Sequence, residues 1–392
     1  MMQFLYQEPV WQIPTGIQII TRKSFFLLPS CYSHVIRSDF GIILVMSETF
    51  SRRDFLKLSA LGMSSLALRP YFGQSEEIDS GTIARVAINS VSIYSQPNDK
   101  SRILYQRYRD ELLNVYSEVI SPDGPGYNPV WYKVWRGYVH RAHLQTVKVS
   151  LNKVLSEIQN ERQLCEISVP LTQSMRFTKA YGWQKIYRLY YESTHWVTGI
   201  EQGPDGDPWY RVMDELIDME YFVRAEHLRP IPHEELTPIS PDVSPEKKRI
   251  EVSIAQQTLT AYEDDTAVMQ TKISSGLPDR RQNPPGGIST DTPTGIYNIQ
   301  SKMPSKHMGG GELTDDLEAY IIPGVPWTCF FEPKTGVATH GTYWHTNYGM
   351  QMSHGCVNMK TEEAKWIFRW TTPVAEPNRI ETLGRGTQVI VS

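Results

Sequence analysis

Cysteine is scarce in this chain, with four in 392 residues, at positions 31, 165, 329 and 356, and no C-x-x-C pair. That excludes a disulfide-stapled scaffold and a cysteine-built structural zinc site, so each thiol is read alone. An excess of one charge sign is missing too. The formal net charge is -4, without the basic stripe expected of a nucleic-acid binder. Aromatics are plentiful by contrast, with 21 tyrosines and 10 tryptophans, which suits β-rich modules and surfaces that face carbohydrate or peptide. The length allows two or three domains.

The amino-terminal part reads as an address. Ser51-Arg52-Arg53-Asp54-Phe55-Leu56-Lys57 is a twin-arginine pattern, followed by the apolar stretch Leu58 to Leu68. That stretch falls short of the roughly 20 residues needed to span a bilayer, so the pair reads as an export signal of the twin-arginine type. The expected location is extracytoplasmic, in the periplasm or cell wall, with membrane contact only through the signal segment, 46–80. Met46 precedes the signal at the distance of a true start, so residues 1–45 read as an over-extended frame, a genuine extension being the alternative. No clear cleavage site follows; Ser65-Leu66-Ala67 is a poor match, and the segment is either cut there or kept as a tether.

A repeat occupies the middle of the chain. Trp131-Tyr132-Lys133-Val134 matches Trp209-Tyr210-Arg211-Val212, and Gly137-Tyr138-Val139-His140 with its continuation to Leu144 matches Tyr221-Phe222-Val223-Arg224 and its continuation to Leu228. Gly/Pro/Asp-rich loops precede both copies. Short strands with turns between them argue for small barrels, and the pattern resembles bacterial SH3-like modules over 82–148 and 166–231. Within it, Trp131 and Trp209 are expected in the core, and His140, His143 and His227 in structural roles. Residues 232–247 form a proline-rich, semi-rigid linker.

From 248 to 392 the chain reads as mainly β. Ile250 to Ile254 alternates as a half-buried strand does, and Thr361 to Trp370 is the best helix, with Thr361 as cap and Glu362 and Glu363 in its first turn. The decisive stretch is His340-Gly341-Thr342-Tyr343-Trp344-His345 followed by Ser353-His354-Gly355-Cys356-Val357-Asn358. A thiol attacks as thiolate, and an imidazole can take its proton and return it to a leaving amine. His340, sixteen residues before Cys356, meets it if the two lie on neighbouring strands. Gly355 permits close backbone approach, so amides near Gly355 and Cys356 can hold a developing oxyanion.

The H-G-x…S-H-G-C-x-N signature, with Gln257-x-Leu259-x-x-Tyr262 and Thr292-Pro293-Thr294-Gly295 before it, resembles the L,D-transpeptidases of the YkuD type. The resemblance implies a β-rich domain with one or two helices, Cys356 as nucleophile and His340 as base, oriented by a carbonyl near Gly341. It implies catalytic-loop support from Ser353, His354 and Asn358. It also implies that Cys356 attacks peptidoglycan stem tetrapeptides, releases D-alanine and yields a 3→3 cross-link, and that carbapenem-type β-lactams acylate Cys356. No cofactor is expected. Two alternatives remain open: a carboxypeptidase or cross-link hydrolase with the same acyl-enzyme, and a wall-binding protein acting through its modules.

Other residues receive plainer readings. Cys165 and Cys329 read as buried small hydrophobes. A metal site from His340, His345, His354 and Cys356 lacks a completing carboxylate or second cysteine, so no metal is expected. His345, Tyr343 and Trp327 are candidates to line the substrate cleft. Met303 to Glu332 reads as a flap over that cleft or as a surface excursion.

Overall fold

The structure is a computed structural model that describes residues 82–278, 289–309, 321–332 and 334–392, together with the backbone of 36–38 and 41–43. The chain divides into two units, Met1–Phe72 and Gly73–Ser392. In the first, Ile36–Ser38 and Gly41–Ile43 form an antiparallel pair. The expected signal segment lies outside the described residues. Among those described, no helix is long and apolar enough to cross a membrane.

The second unit is mainly β, as expected from its patterning, with one α-helix among the described residues. The repeat found in the sequence is one hairpin built twice. Trp131 pairs with His140 and Tyr132 with Val139; in the second copy Trp209 pairs with Arg224 and Tyr210 with Val223. Alternation sends Tyr132 and Val134 into the core of the first copy and Tyr210 and Val212 into that of the second, while Trp131 and Trp209 are buried on the opposite face of their strands. His143 and His227 end equivalent 3-10 turns, Arg141–His143 and Ala225–His227.

Sheet organisation differs between the copies. The first copy divides between a three-stranded and a five-stranded sheet, while the second is one seven-stranded antiparallel sheet. Residues after the second copy do not float free. Glu235 accepts from Arg229 and from Lys365, Arg369 donates to the Thr237 carbonyl at 2.8 Å, and Leu236 and Ile239 rest against the main core. The proline-rich segment is therefore a strap bonded to the helix Thr361–Trp370.

The carboxy-terminal domain stacks two five-stranded sheets. One has Thr266–Lys272 at one edge, then Thr258–Glu263, Lys248–Ser253, Gln388–Val391 and Gly295–Asn298; the other runs Val357–Met359, Val337–Gly341, Ile321–Glu332, Ser301–Gly309 and Thr382–Leu383. Their apolar faces, with the helix, share one core that includes Ile250, Val252, Leu259, Phe331, Val337, Val357 and Ile367. Thr361 is the first helical residue, and Lys360 occupies the cap position without a side-chain bond. Ser301–Gly309 and Ile321–Glu332 are two long paired strands, almost wholly buried. This hairpin is no surface excursion, because Thr194, Asp214 and Glu215 of the second module bond to its Pro304, His307 and Lys306. Residues 310–320, between the two strands, lie outside the described residues.

Candidate active site

Cys356 lies at the mouth of a short strand and is held there by a knitted loop. Gly355, at φ 118°, takes a backbone conformation that side-chain-bearing residues avoid. The Gly355 amide donates to Ser353 Oγ at 3.1 Å, and that hydroxyl donates to the Cys356 carbonyl. Thr292 Oγ1 donates to the Gly355 carbonyl at 2.7 Å and accepts from Gly276 N–H at 2.8 Å. Underneath, Ser274 exchanges two 2.9 Å backbone bonds with Asn358, while the Ser275 carbonyl accepts from Met352 and Ser353. Gln257 fastens this cradle, accepting from Ser275 N–H and donating to Ser275 Oγ at 2.7 Å.

His340 enters on the neighbouring strand, Val337–Gly341, which runs parallel to Val357–Met359. The register places His340 beside Asn358. Two residues earlier, Cys356 falls level with Ala338, so the thiol and the imidazole share one face. His340 Nδ1 lies 2.9 Å from the Gly341 carbonyl. A carbonyl only accepts, so Nδ1 carries the proton and Nε2 keeps its lone pair. At Gly341 a Cβ would sit 2.8 Å from Pro326 and 3.1 Å from the Thr361 backbone, so only glycine fits. Cys356 Sγ is 3.9 Å from the Gly336 carbonyl, and no hydrogen bond joins it to His340.

Electrostatics make both groups neutral at rest. Burial holds His340 down to about 4, opposed by its bond to Gly341. Burial likewise pushes the Cys356 thiol up to about 11, with an opposing contribution from the Ala338 backbone. This is a thiol–imidazole pair rather than a preformed thiolate–imidazolium pair. The proton has to move as the sulfur attacks.

His345 is a support of the site's floor. Its Nδ1 accepts from Asn347 N–H at 3.2 Å, which leaves its proton on Nε2, 2.9 Å from the end of the Asn358 amide. Asn358 therefore presents its oxygen there. Burial holds His345 at about 3, and His143 of the first module and His340 press the same way.

The sequence-based candidates divide accordingly. Cys356, His340, Gly341, Gly355, Ser353, His354 and Asn358 come together on two adjacent strands and one loop. The Gly355 amide is already bonded to Ser353, so it is not a free oxyanion donor, and its residue serves the turn instead. His345, Tyr343 and Trp327 are corrected as cleft residues: they are 2%, 4% and 1% exposed. Trp327 packs edge-on against Phe368 in the core, and Tyr343 donates to the Pro323 carbonyl at 3.0 Å. The residue missed between them is Trp344. It is half-buried, with its ring 5.8 Å from that of His340, in the place the three candidates were expected to fill. Its adjacency to Tyr343 and His345 hid it, because irregular backbone gives no alternation to show which of three neighbours faces out.

A two-sheet β domain that presents a thiol beside a one-tautomer imidazole belongs to the class of sites built for thiol chemistry on carbonyl groups. Residues 247–391 match the YkuD family, described as the L,D-transpeptidase catalytic domain, and this part of the chain is such a domain. No curated protein matches the chain. Among solved structures, the chain is similar to an Enterococcus faecium L,D-transpeptidase mutant, with 24% identity over 37% of this chain and 50% of that one, at a TM-score of 0.27. The chain thus spans half the length of that relative. It is also similar to the E. faecium catalytic domain acylated by ertapenem, with 26% identity over 37% of this chain and 97% of that one, at a TM-score of 0.26. A Mycobacterium smegmatis L,D-transpeptidase is 14% identical over 64% of this chain and 92% of that one, at a TM-score of 0.29.

Proposed function

We propose that the protein is an exported cysteine L,D-transpeptidase acting on peptidoglycan stem peptides. The observation that carries this reading is the His340 tautomer: Nδ1–H is bound to the Gly341 carbonyl, which leaves the Nε2 lone pair on the face shared with Cys356.

The reaction follows from those two groups. Sγ of Cys356 attacks the carbonyl carbon of a stem-peptide bond while His340 Nε2 takes the thiol proton. The C–N bond then breaks, and the departing amine of D-alanine takes the proton from Nε2, leaving a thioester on Cys356. An amine of a second stem attacks the thioester and gives a proton to Nε2. Sulfur departs and regains that proton, which restores the resting pair. The Gly355 amide is occupied, so the Cys356 amide is the nearest donor to the developing oxyanion. Ser353 and Thr292 hold the loop in register, His354 shapes it at the surface, and Trp344 lines the approach to His340.

Export by the twin-arginine route and SH3-like modules that accompany wall enzymes complete the proposal. Carbapenem-type β-lactams are the expected inhibitors, supported by the ertapenem-acylated Enterococcus domain to which this one is similar. The test is intact mass after incubation of the protein with a carbapenem, beside Cys356→Ala. An adduct on the wild type alone supports the reading, and no adduct on either protein removes it. Products from muropeptide substrates then separate cross-link formation from hydrolysis.

A further inference from the structure

The loop that carries Trp344 past His340 is held by the first β module. Arg85, 2% exposed, lies at the centre of that contact. Its guanidinium donates to Gln145 Oε1 from two nitrogens, at 3.2 and 2.8 Å, and to Asp110 Oδ1 at 3.1 Å. It lies 4.0 Å over the Tyr190 ring of the second module. Its remaining reach is across the chain: Nη2 donates to the Tyr343 carbonyl at 3.1 Å. A guanidinium is planar and offers five donors in a fixed fork, so one side chain can hold all these partners in a set geometry.

The next residue, Trp344, stacks edge-on against Tyr343 at 4.9 Å and lies 5.8 Å from the His340 ring. Farther along the loop, Thr346 N–H donates to the Ala142 carbonyl at 2.9 Å and Thr346 Oγ1 to the Arg141 carbonyl at 2.7 Å. Asn128 Nδ2 donates to Asn347 Oδ1 at 3.1 Å. Thus both ends of the Tyr343–Asn347 stretch are tied to the first module. Gly341 and Asn358, which orient and flank His340, adjoin that stretch directly or through His345.

We propose that Arg85 is a positioning residue for the active site, fixing Trp344 against His340 through the Tyr343 carbonyl, so that the first module is a working part of the catalytic machinery. This rests on the reading of His340 as the base. A structural arginine would stabilise the module and leave the chemistry alone; a positioning arginine changes how Cys356 reacts in protein that remains folded.

The experiment uses the full chain and compares wild type, Arg85→Met, Arg85→Lys and Leu113→Ala. Leu113 is a core residue of the same module and no part of the contact with Tyr343. The readout is the second-order rate of carbapenem acylation by intact mass, across pH, with folding checked by melting. Arg85→Met is expected to lose roughly 10- to 100-fold at neutral pH. The acid limb of its profile should rise from about 4 towards the ordinary imidazole range as the loosened loop admits water to His340. Arg85→Lys, which keeps the charge beside Asp110 but lacks the fork, should fall between; it also serves if Arg85→Met does not fold. Leu113→Ala, although less stable, should react as wild type does. Wild-type kinetics in a folded Arg85→Lys or Arg85→Met protein would overturn the proposal, as would an equal loss in folded Leu113→Ala. Failure of the underlying reading shows separately, as a His340→Gln protein acylated at the wild-type rate.

Discussion

The two β modules share a hairpin with the same register, Trp131 against His140 and Trp209 against Arg224, yet they grip different parts of the catalytic domain. The first holds the loop after His340, through Arg85, Asn128, Arg141 and Ala142. The second holds the long hairpin, through Thr194 on the Pro304 carbonyl and Asp214 on His307, and meets the loop with the ring of Tyr190, 5.9 Å from that of Tyr343. What repeats is the inward alternation that makes each module fold. What differs lies in residues outside the pattern, and those decide which module hydrogen-bonds the loop beside the chemistry and which the long hairpin.

Variants can break or sharpen that contrast. The floor is set by His340→Gln, which should slow acylation of Cys356 by about 10²–10⁴-fold whatever the modules do. Asp214→Ala in the second module is expected to cost about 3 kcal/mol of folding stability. It strands His307, 1% exposed and paired to Asp214 at 2.7 Å, while acylation of the folded protein should keep its rate. Denaturant unfolding beside acylation kinetics checks both halves, and a slowed reaction would erase the difference between modules. Arg85→Met should give the opposite signature, with chemistry affected in protein that remains folded. Smallest of all, Glu111→Ala removes the exposed pair with Arg107 on the first module and should change stability by less than about 0.5 kcal/mol.

Acid should weaken the fold as well. Burial lowers His195 to about 3, His340 to about 4 and His345 to about 3, each below the ordinary 6.5. Below 6.5 the unfolded chain takes up protons that these folded histidines refuse, so stability falls as pH falls, by about 1.4 kcal/mol per unit for each. Glu192 works the other way, because burial raises it from 4.5 to about 7 and its contribution is lost as pH rises through that window. Burial lowers His140, His143 and His227 as well, so the balance between 4.5 and 6.5 is a loss of stability on acidification, readable as a falling melting temperature.

Much of this was legible in the sequence because it is local. Tyr132 and Tyr210 announce their hairpins through alternation and turns, and the thiol and imidazole through a spaced motif. The register of His340 beside Asn358 needed only two short strands at the right separation. The docking was not legible. Arg85 and Tyr343 are 258 positions apart, and a lone arginine among alternating residues carries no mark of its partner. Trp327 was misplaced for a related reason. Its strand is buried on both faces, between the helix on one side and contacts from the second module on the other, so its aromatics lack the alternation that tells core from cleft. The strap at 232–247 gave the composition of a linker, and its bonds to Lys365 and Arg369, with Leu236 and Ile239 against the core, make it part of the domain.

The measurement that bears most directly on a neutral thiol and imidazole sharing one proton is the pH profile of the carbapenem acylation rate for the wild-type protein. With His340 as base, the rate should rise through about 4 and then level, since Nε2 is free above that value and the thiol keeps its proton to about 11. A rate that stays low at neutral pH and climbs about tenfold per unit toward the thiol's own titration would mean that solvent, not His340, removes the proton. That result would contradict the assignment of His340.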